Sequence, residues 1–266
     1  MDIWRESFPL RFGAVDRSDR LTLWSTFDFF QEAAISHAEV LGVGREDMKI
    51  SGQAWVLSRL SVFWERRPLY GETVTVRSWP RGSEKLFAVR DYDIRDAADR
   101  PVVRGRSGWL VLDMEKRRPL RVQQIMEKLP LNAGENAFSA PSPALAARES
   151  LVRSGERRAA YSDVDYNGHV NNTRYVQWVQ DLASFALLED AEQMRFDINY
   201  LSEVKPGEVT GLWTAPITED VPAGPDYPRS VDTALAFEGR RPESDQPVFR
   251  AELRVKSGRR TATPLA

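Results

Sequence analysis

Apolar residues recur at helical spacing in two stretches of this chain, and alternating stretches follow each of them. Phe27, Phe30, Ala33, Ala34, His37 and Leu41 fall at intervals of three, four and seven, which places them along one side of an α-helix. Tyr175, Trp178, Val179, Leu182, Phe185 and Ala186 repeat the pattern in the second half. After the first helix, period-two alternation predicts strands over about 54–65, 86–94 and 102–112. After the second, it predicts strands over about 194–201, 230–237 and 248–255. Ala54, Val56, Leu60, Val62 and Trp64 share one parity; so do Met194, Phe196, Ile198 and Tyr200. Each leading strand runs on to a Gly-Glu turn, Gly71-Glu72 and Gly207-Glu208.

The two halves align at a fixed offset. Val15-Asp16 matches Val164-Asp165, and Gln31-Glu32 matches Gln180-Asp181, each pair 149 residues apart. A helix followed by several strands therefore occurs twice, the expected form of an α+β pair of related units. The boundaries predicted are 1–120 for the first unit and 150–266 for the second. Between them 121–149, with Pro130, Gly134, Pro141 and Pro143, is expected to be a linker.

Composition narrows the chemistry. The chain has 266 residues, 42% of them hydrophobic, enough for a substantial core. A net charge of −2 argues against nucleic acid or an anionic membrane as the partner. There is no cysteine, which removes disulfides, zinc–thiolate sites and a thiol nucleophile. The first residues are charged, unlike a signal or transit peptide, and no apolar run approaches the ~20 residues of a membrane helix. A cytoplasmic protein is the expectation.

The densest chemistry lies in Asp163-Val164-Asp165-Tyr166-Asn167-Gly168-His169-Val170-Asn171-Asn172, just ahead of the second helix. A helix start offers unpaired N–H groups and a positive dipole end, which suit developing negative charge. Such a run also reads as a plain turn and cap, with Asn171 or Asn172 as the N-cap. The repeat bears on the functional reading, because Asn167 faces Ser18 and His169 faces Arg20 while Asp165 keeps its partner Asp16, as a single active site in a duplicated fold would. One copy has kept the amide and imidazole; the other has kept only the frame. His169 is one of two histidines, and His37, on the apolar stripe of the first helix, reads as a core residue. Glu203, at the end of a predicted strand, joins the set if that end approaches His169.

These residues resemble the acyl-acyl carrier protein thioesterases of plants and bacteria. The likeness is carried by Asp165-Tyr166-Asn167-Gly168-His169-Val170-Asn171-Asn172, by Tyr175 and Trp178, and by Tyr200-Leu201-Ser202-Glu203. In the first half it is carried by Trp55-Val56-Leu57-Ser58-Arg59 and Pro68-Leu69-Tyr70-Gly71-Glu72. The resemblance implies a tandem hot-dog fold, each unit a long helix wrapped by an antiparallel sheet. It implies hydrolysis of fatty acyl-acyl carrier protein, with no metal or bound cofactor. The catalytic set carried over is Asp165, Asn167, His169 and Glu203. Val204 stands where plant members commonly have a cysteine, so direct attack by water is expected, with Glu203 or His169 as general base.

The resemblance also puts the acyl chain in the first unit, with Phe27, Phe30, Trp55 and Val56 as candidate walls. Three basic clusters are candidates for meeting an acidic carrier protein: Arg153/Arg157/Arg158, Lys116/Arg117/Arg118 and Arg66/Arg67. The competing activities are an acyl-coenzyme A thioesterase and a non-catalytic acyl-binding hot-dog module.

Overall fold

A computed structural model describes residues 2–132, 134–219, 222 and 224–258. The ends of the predicted second unit, 259–266, lie outside the described residues. The first half contains β1 (Trp4–Pro9), α1 (Leu23–Val40), α2 (Arg45–Ile50), β2 (Gln53–Trp64), β3 (Thr73–Glu84), β4 (Phe87–Arg95), β5 (Pro101–Asp113) and β6 (Arg118–Pro119). After α3 (Gln123–Met126) come β7 (Val152–Arg158), α4 (Asn172–Leu182), α5 (Phe185–Asp190), β8 (Ala191–Tyr200), β9 (Val209–Pro216), β10 (Thr233–Arg240) and β11 (Pro247–Ser257).

All strands join one antiparallel sheet in the order β1-β3-β4-β5-β2-β8-β11-β10-β9-β7, with β6 beside β5. The join between halves is the β2–β8 pair. There Ser61 lies opposite Asp197, its own counterpart 136 residues on, and its hydroxyl donates to the Asp197 carboxylate at 2.6 Å. The pseudo-twofold axis thus passes between these two residues.

Helices α1 and α4 lie on one face of the sheet, as the two stripes require. Phe27, Phe30, Tyr175, Trp178, Val62, Trp64, Phe196 and Ile198 share a single core. Each fully buried large apolar side chain stabilises the fold by roughly 1.5–3 kcal/mol. Thr22 caps α1 by accepting from Ser25 N, and Asn171 caps α4 by accepting from Thr173 N at 2.8 Å. The helices also cap across the join, since Gln180 Oε1 accepts from Leu23 N at 3.0 Å.

Two details depart from the sequence expectations, and a third fills in the linker. The second helix breaks after Leu182: Ser184 starts α5 by accepting from Leu187 N at 3.2 Å, and Phe185 turns out to solvent, 74% exposed. In β2 a bulge between Leu57 and Arg59 reverses the parity, so Trp55 rather than Val56 shares the helix face with Leu60 and Val62. The segment after α3, within the expected linker, is packed as a strap against the sheet. Phe138 packs on Phe63 and Trp79 on the far sheet face, Ala137 N donates to Asp91, and Ser142 Oγ to Arg106 O. It covers buried ion pairs such as Arg106–Asp91 at 2.7 Å and Arg77–Asp93 at 2.5 Å.

Candidate active site

The offset read from the sequence is a repeat of hydrogen bonds. A 3-10 turn at Tyr161–Asp163 and a bridge between Val164 and Val170 correspond to Phe12–Ala14 and to Val15 with Leu21. Within the loop Asp165 N donates to His169 O and Gly168 N to Asp165 O, both at 3.0 Å. Asp16, Asp19 and Arg20 make the same two bonds at 2.9 Å. Asp165 Oδ1 accepts from Asn167 N at 2.8 Å, as Asp16 Oδ1 does from Ser18 N at 2.9 Å. Gly168 takes the left-handed conformation at φ 79°, matched by Asp19 at φ 59°. This turn swings residue 169 back over the start of α4.

Glu203 arrives by a backbone stitch. Val170 N donates to Val204 O at 2.8 Å, and the Tyr175 hydroxyl, pushed up in pKa by burial, is hydrogen-bonded to the Val204 backbone. From the turn between β10 and β11, Arg241 donates Nη2 to Glu203 O at 2.5 Å and Nη1 to Glu208 Oε2 at 2.6 Å. The imidazole of His169 then stands between two carboxylates. Its Nε2 is 3.9 Å from Glu203 Oε1, and its Nδ1 is 4.0 Å from Asp165 Oδ1 and 3.4 Å from Val170 O. Asn167 Nδ2 lies 3.5 Å from Asp165 Oδ2, too long to saturate its donors. Asp165, Asn167, His169 and Glu203 are therefore brought together at the N-terminus of α4. Asp165 and His169 are 16% and 25% exposed at the side chain, whereas Glu203 opens to solvent at 57%.

Sequence reasoning missed two neighbours. Arg241 comes from a distant turn, and no local pattern marks it. Arg45 at the start of α2 lays its guanidinium over the Tyr166 ring at 3.8 Å, so the first unit forms one rim of the site.

The same frame in the first half holds a different set. Leu21 N donates to Pro68 O at 2.8 Å, and the position corresponding to Glu203 is Arg67. Arg67 donates Nη1 to Asp16 Oδ2 at 2.7 Å and Nη2 to Leu188 O. Arg20 donates to Glu189 O at 3.2 Å and Ala191 O at 3.0 Å. These cations meet carbonyls at the end of α5, where a helix carries unpaired acceptors. Burial pushes the Asp16 carboxyl up, but bonds from Ser18 and the Arg67 guanidinium outweigh it and hold it below its ordinary value. The first copy is an inter-unit lock.

His37 is fully buried, and its Nδ1 accepts from Arg90 Nη1 at 3.2 Å, in keeping with a core role. Of the candidate walls, Phe27 and Phe30 pack into the main core, Phe30 stacked on Tyr92 at 4.7 Å. Trp55 joins a second apolar cluster of Val43, Met48, Ala88, Val111 and Met126 beneath α2.

The family assignment comes from sequence. The family described as the acyl-ACP thioesterase N-terminal domain matches residues 1–129, and the acyl-ACP thioesterase C-terminal domain matches 150–240. The chain belongs to the acyl-ACP thioesterase family. Among curated relatives, the chloroplastic palmitoyl-acyl carrier protein thioesterase of Arabidopsis thaliana is 23% identical over 231 residues, 80% of this chain and 55% of that one. The corresponding enzyme of Gossypium hirsutum is 25% identical over 219 residues, 76% of this chain and 52% of that one. The chain spans about half the length of the curated relatives it matches. An acyl-ACP thioesterase from Bacteroides thetaiotaomicron superposes with a TM-score of 0.81 at 23% identity, covering 96% of this chain and 98% of that one. The 12:0-ACP thioesterase from Umbellularia californica gives 0.78 at 22% identity, covering 96% and 94%. The fold of this family member is thus the tandem hot-dog that the sequence implied.

Proposed function

We propose that this chain hydrolyses fatty acyl-acyl carrier protein, with water attacking the thioester at the Asp165/Asn167/His169/Glu203 cluster. The observation that carries the reading is the asymmetry of the two loops. His169 stands between Asp165 and Glu203, while the identical frame in the first half holds Arg20 and Arg67.

At 3.9 Å, His169 Nε2 and Glu203 Oε1 are close enough for one water to reach both at about 2.8 Å. Two acceptors facing the same water polarise it. One takes its proton as the water oxygen bonds to the thioester carbon. Asp165 fixes Asn167 through the backbone and holds the Nδ1 side of the imidazole. Asn167 Nδ2 and N–H groups at the start of α4 donate to the carbonyl oxygen as it becomes an oxyanion. Collapse of the tetrahedral intermediate breaks the C–S bond; the thiolate takes the proton, and the fatty acid leaves. A positioned base and one oxyanion donor each contribute roughly 10²–10³-fold, sufficient for turnover.

The two units divide the work. The second, 150–266, supplies the chemistry; the first, 1–120, receives the acyl chain. The cluster beneath α2 is the fitting slot, because α2 begins at Arg45 beside Tyr166 and its apolar wall includes Trp55 and Val111. No cofactor enters these proposed steps; among the described residues no group of three or more His, Cys, Asp or Glu side chains could hold a metal ion. Among the described residues no helix is long and apolar enough to cross a membrane. Thiol release from acyl carrier protein and acyl-coenzyme A substrates of matched chain length tests the reading. Faster turnover of the carrier-protein substrate supports it; acyl binding without thiol release would instead favour a sensor.

A further inference from the structure

The three basic clusters that could meet an acidic carrier protein differ in how many of their cations are already neutralised. Arg66 is bidentate on Glu72 at 2.8–3.0 Å and 3.6 Å from Asp96, and Arg67 is buried on Asp16. Arg153 pairs with Glu156 at 2.7 Å, Arg157 with Asp181 at 2.9 Å, and Arg158 donates to Gly207 O at 2.8 Å. In the first of these clusters both cations are paired, and in the second Arg153 and Arg157 are, leaving Arg158 as the one cation held only by a carbonyl.

The turn between β5 and β6 is different. Arg117, Arg118 and Arg121 are exposed, and among the described residues none of them forms an ion pair. Lys116 is 3.6 Å from Asp113, whose carboxylate is occupied with the N–H groups of its own turn, and Glu115 is the one acid within 114–121. Arg117 is moreover held at φ 50°, a left-handed conformation that arginine adopts at a cost, so a charged residue stands where Gly or Asn would be easier. Two large apolar side chains are also left uncovered: Met114 in this turn, 57% exposed, and Ile50 at the end of α2, 84% exposed. Met114 N donates to Gly52 O at 2.9 Å, which ties the turn to the residues just after α2, whose last turn carries exposed Lys49. The other end of α2, about 9 Å away for six residues, is Arg45 on Tyr166.

The geometry points to a docking face formed by Lys49, Met114, Arg117, Arg118 and Arg121, which receives the acidic carrier protein and directs its acyl-phosphopantetheine arm along α2 to His169. This rests on the proposed hydrolysis of acyl-acyl carrier protein. The cations would attract the acidic partner from a distance, and Ile50 and Met114 would bury apolar surface once it lands. Apart from Arg121 at the start of the linker, the face belongs to the first unit, while the chemistry belongs to the second, so the carrier protein would dock on the unit that also takes the acyl chain.

The test combines binding and turnover. The Arg117→Glu/Arg118→Glu/Arg121→Glu variant is compared with the parent and with Arg153→Glu/Arg157→Glu. Binding is read with apo acyl carrier protein by calorimetry. Turnover is read on acyl carrier protein substrate and on an acyl-N-acetylcysteamine thioester that carries no protein. Expected are losses of about ten-fold or more in carrier-protein affinity and in kcat/KM on the protein substrate, with a flatter salt dependence. The small thioester is expected to be turned over within two-fold of the parent, and Arg153→Glu/Arg157→Glu to match the parent throughout. Equal losses on both substrates, unchanged carrier-protein affinity, or binding of phosphatidylglycerol vesicles in place of the carrier protein would each overturn the docking face. A parent that binds the carrier protein through these arginines but releases no thiol would leave the docking face standing and refute the hydrolase reading.

Discussion

Replacing Arg67 by Met removes the cation that turns the first loop into a lock. The Arg67 side chain is 2% exposed and that of Asp16 is 23% exposed, so the change leaves a largely buried carboxylate without its counter-ion. Breaking a buried pair in this way costs about 3–5 kcal/mol. Asp16 keeps bonds from Ser18 N, Ser18 Oγ and Arg20 N, which favours the lower end of that range. Leu188 O also loses its donor, and an unsatisfied buried acceptor costs about 1–3 kcal/mol, part of it recovered by water at the loop edge. A net loss of about 3 kcal/mol lowers the melting temperature by roughly 6–12 °C in a chain of this size. Asp16→Asn with Arg67→Met removes both charges and should recover at least about 1 kcal/mol of the single-variant loss. Denaturant unfolding followed by circular dichroism measures stability, and thiol release at a temperature where the variant is folded measures activity. Turnover within about two-fold of the parent is expected. Arg67→Met as stable as the parent would refute the lock, and a folded variant without activity would refute the assignment of chemistry to the second loop alone.

Arg241→Ala frees the Glu203 backbone and should lower kcat by about ten-fold with little change in KM, since Arg241 holds the carboxylate's segment and not the substrate; Arg241→Lys should restore part of it. Gly105→Ala places a Cβ 2.5 Å from the Phe30 ring, which is pinned against Tyr92, and should cost about 1–3 kcal/mol by urea unfolding. The Asp96 carboxyl is held down to about 2, first by the N–H of Arg100 and then by its guanidinium. A carboxyl depressed in the folded state stabilises above its unfolded pKa of about 3.9, and that stability is lost as pH falls toward 2. The urea midpoint should therefore fall between pH 4 and 2, less steeply in Asp96→Asn; equal slopes would contradict the assignment.

Where the sequence was legible, local physics decided the structure. The helical stripes, the Asn171 cap and the paired loops at offset 149 all depend on neighbours within one or two turns. α4 begins at Asn172 and α1 at Leu23, the same 149 apart. Edge strands β1 and β7 were hidden because they read WRESFP and VRSGERR, charged sequences suited to exposed sheet edges rather than alternating cores. The β2 bulge is invisible to parity counting, which assumes an unbroken period of two. In the site, Asp165, Asn167 and His169 fall within five residues and declare themselves, whereas Glu203 is placed by the Val170–Val204 backbone bond across the chain. Arg67 reads in the sequence as part of a surface patch with Arg66, whereas the backbone bond from Leu21 to Pro68 places it, buried, at the position corresponding to Glu203.

The proposed mechanism activates solvent between the imidazole of His169 and the carboxylate of Glu203. Glu203→Gln keeps the size of the side chain and the Arg241 bond to the backbone, so the fold should stand while proton acceptance is lost. Thiol release from acyl carrier protein substrate, measured on variant protein with the circular dichroism of the parent, should fall by roughly 10²-fold or more in kcat. Turnover close to that of the parent would contradict the account.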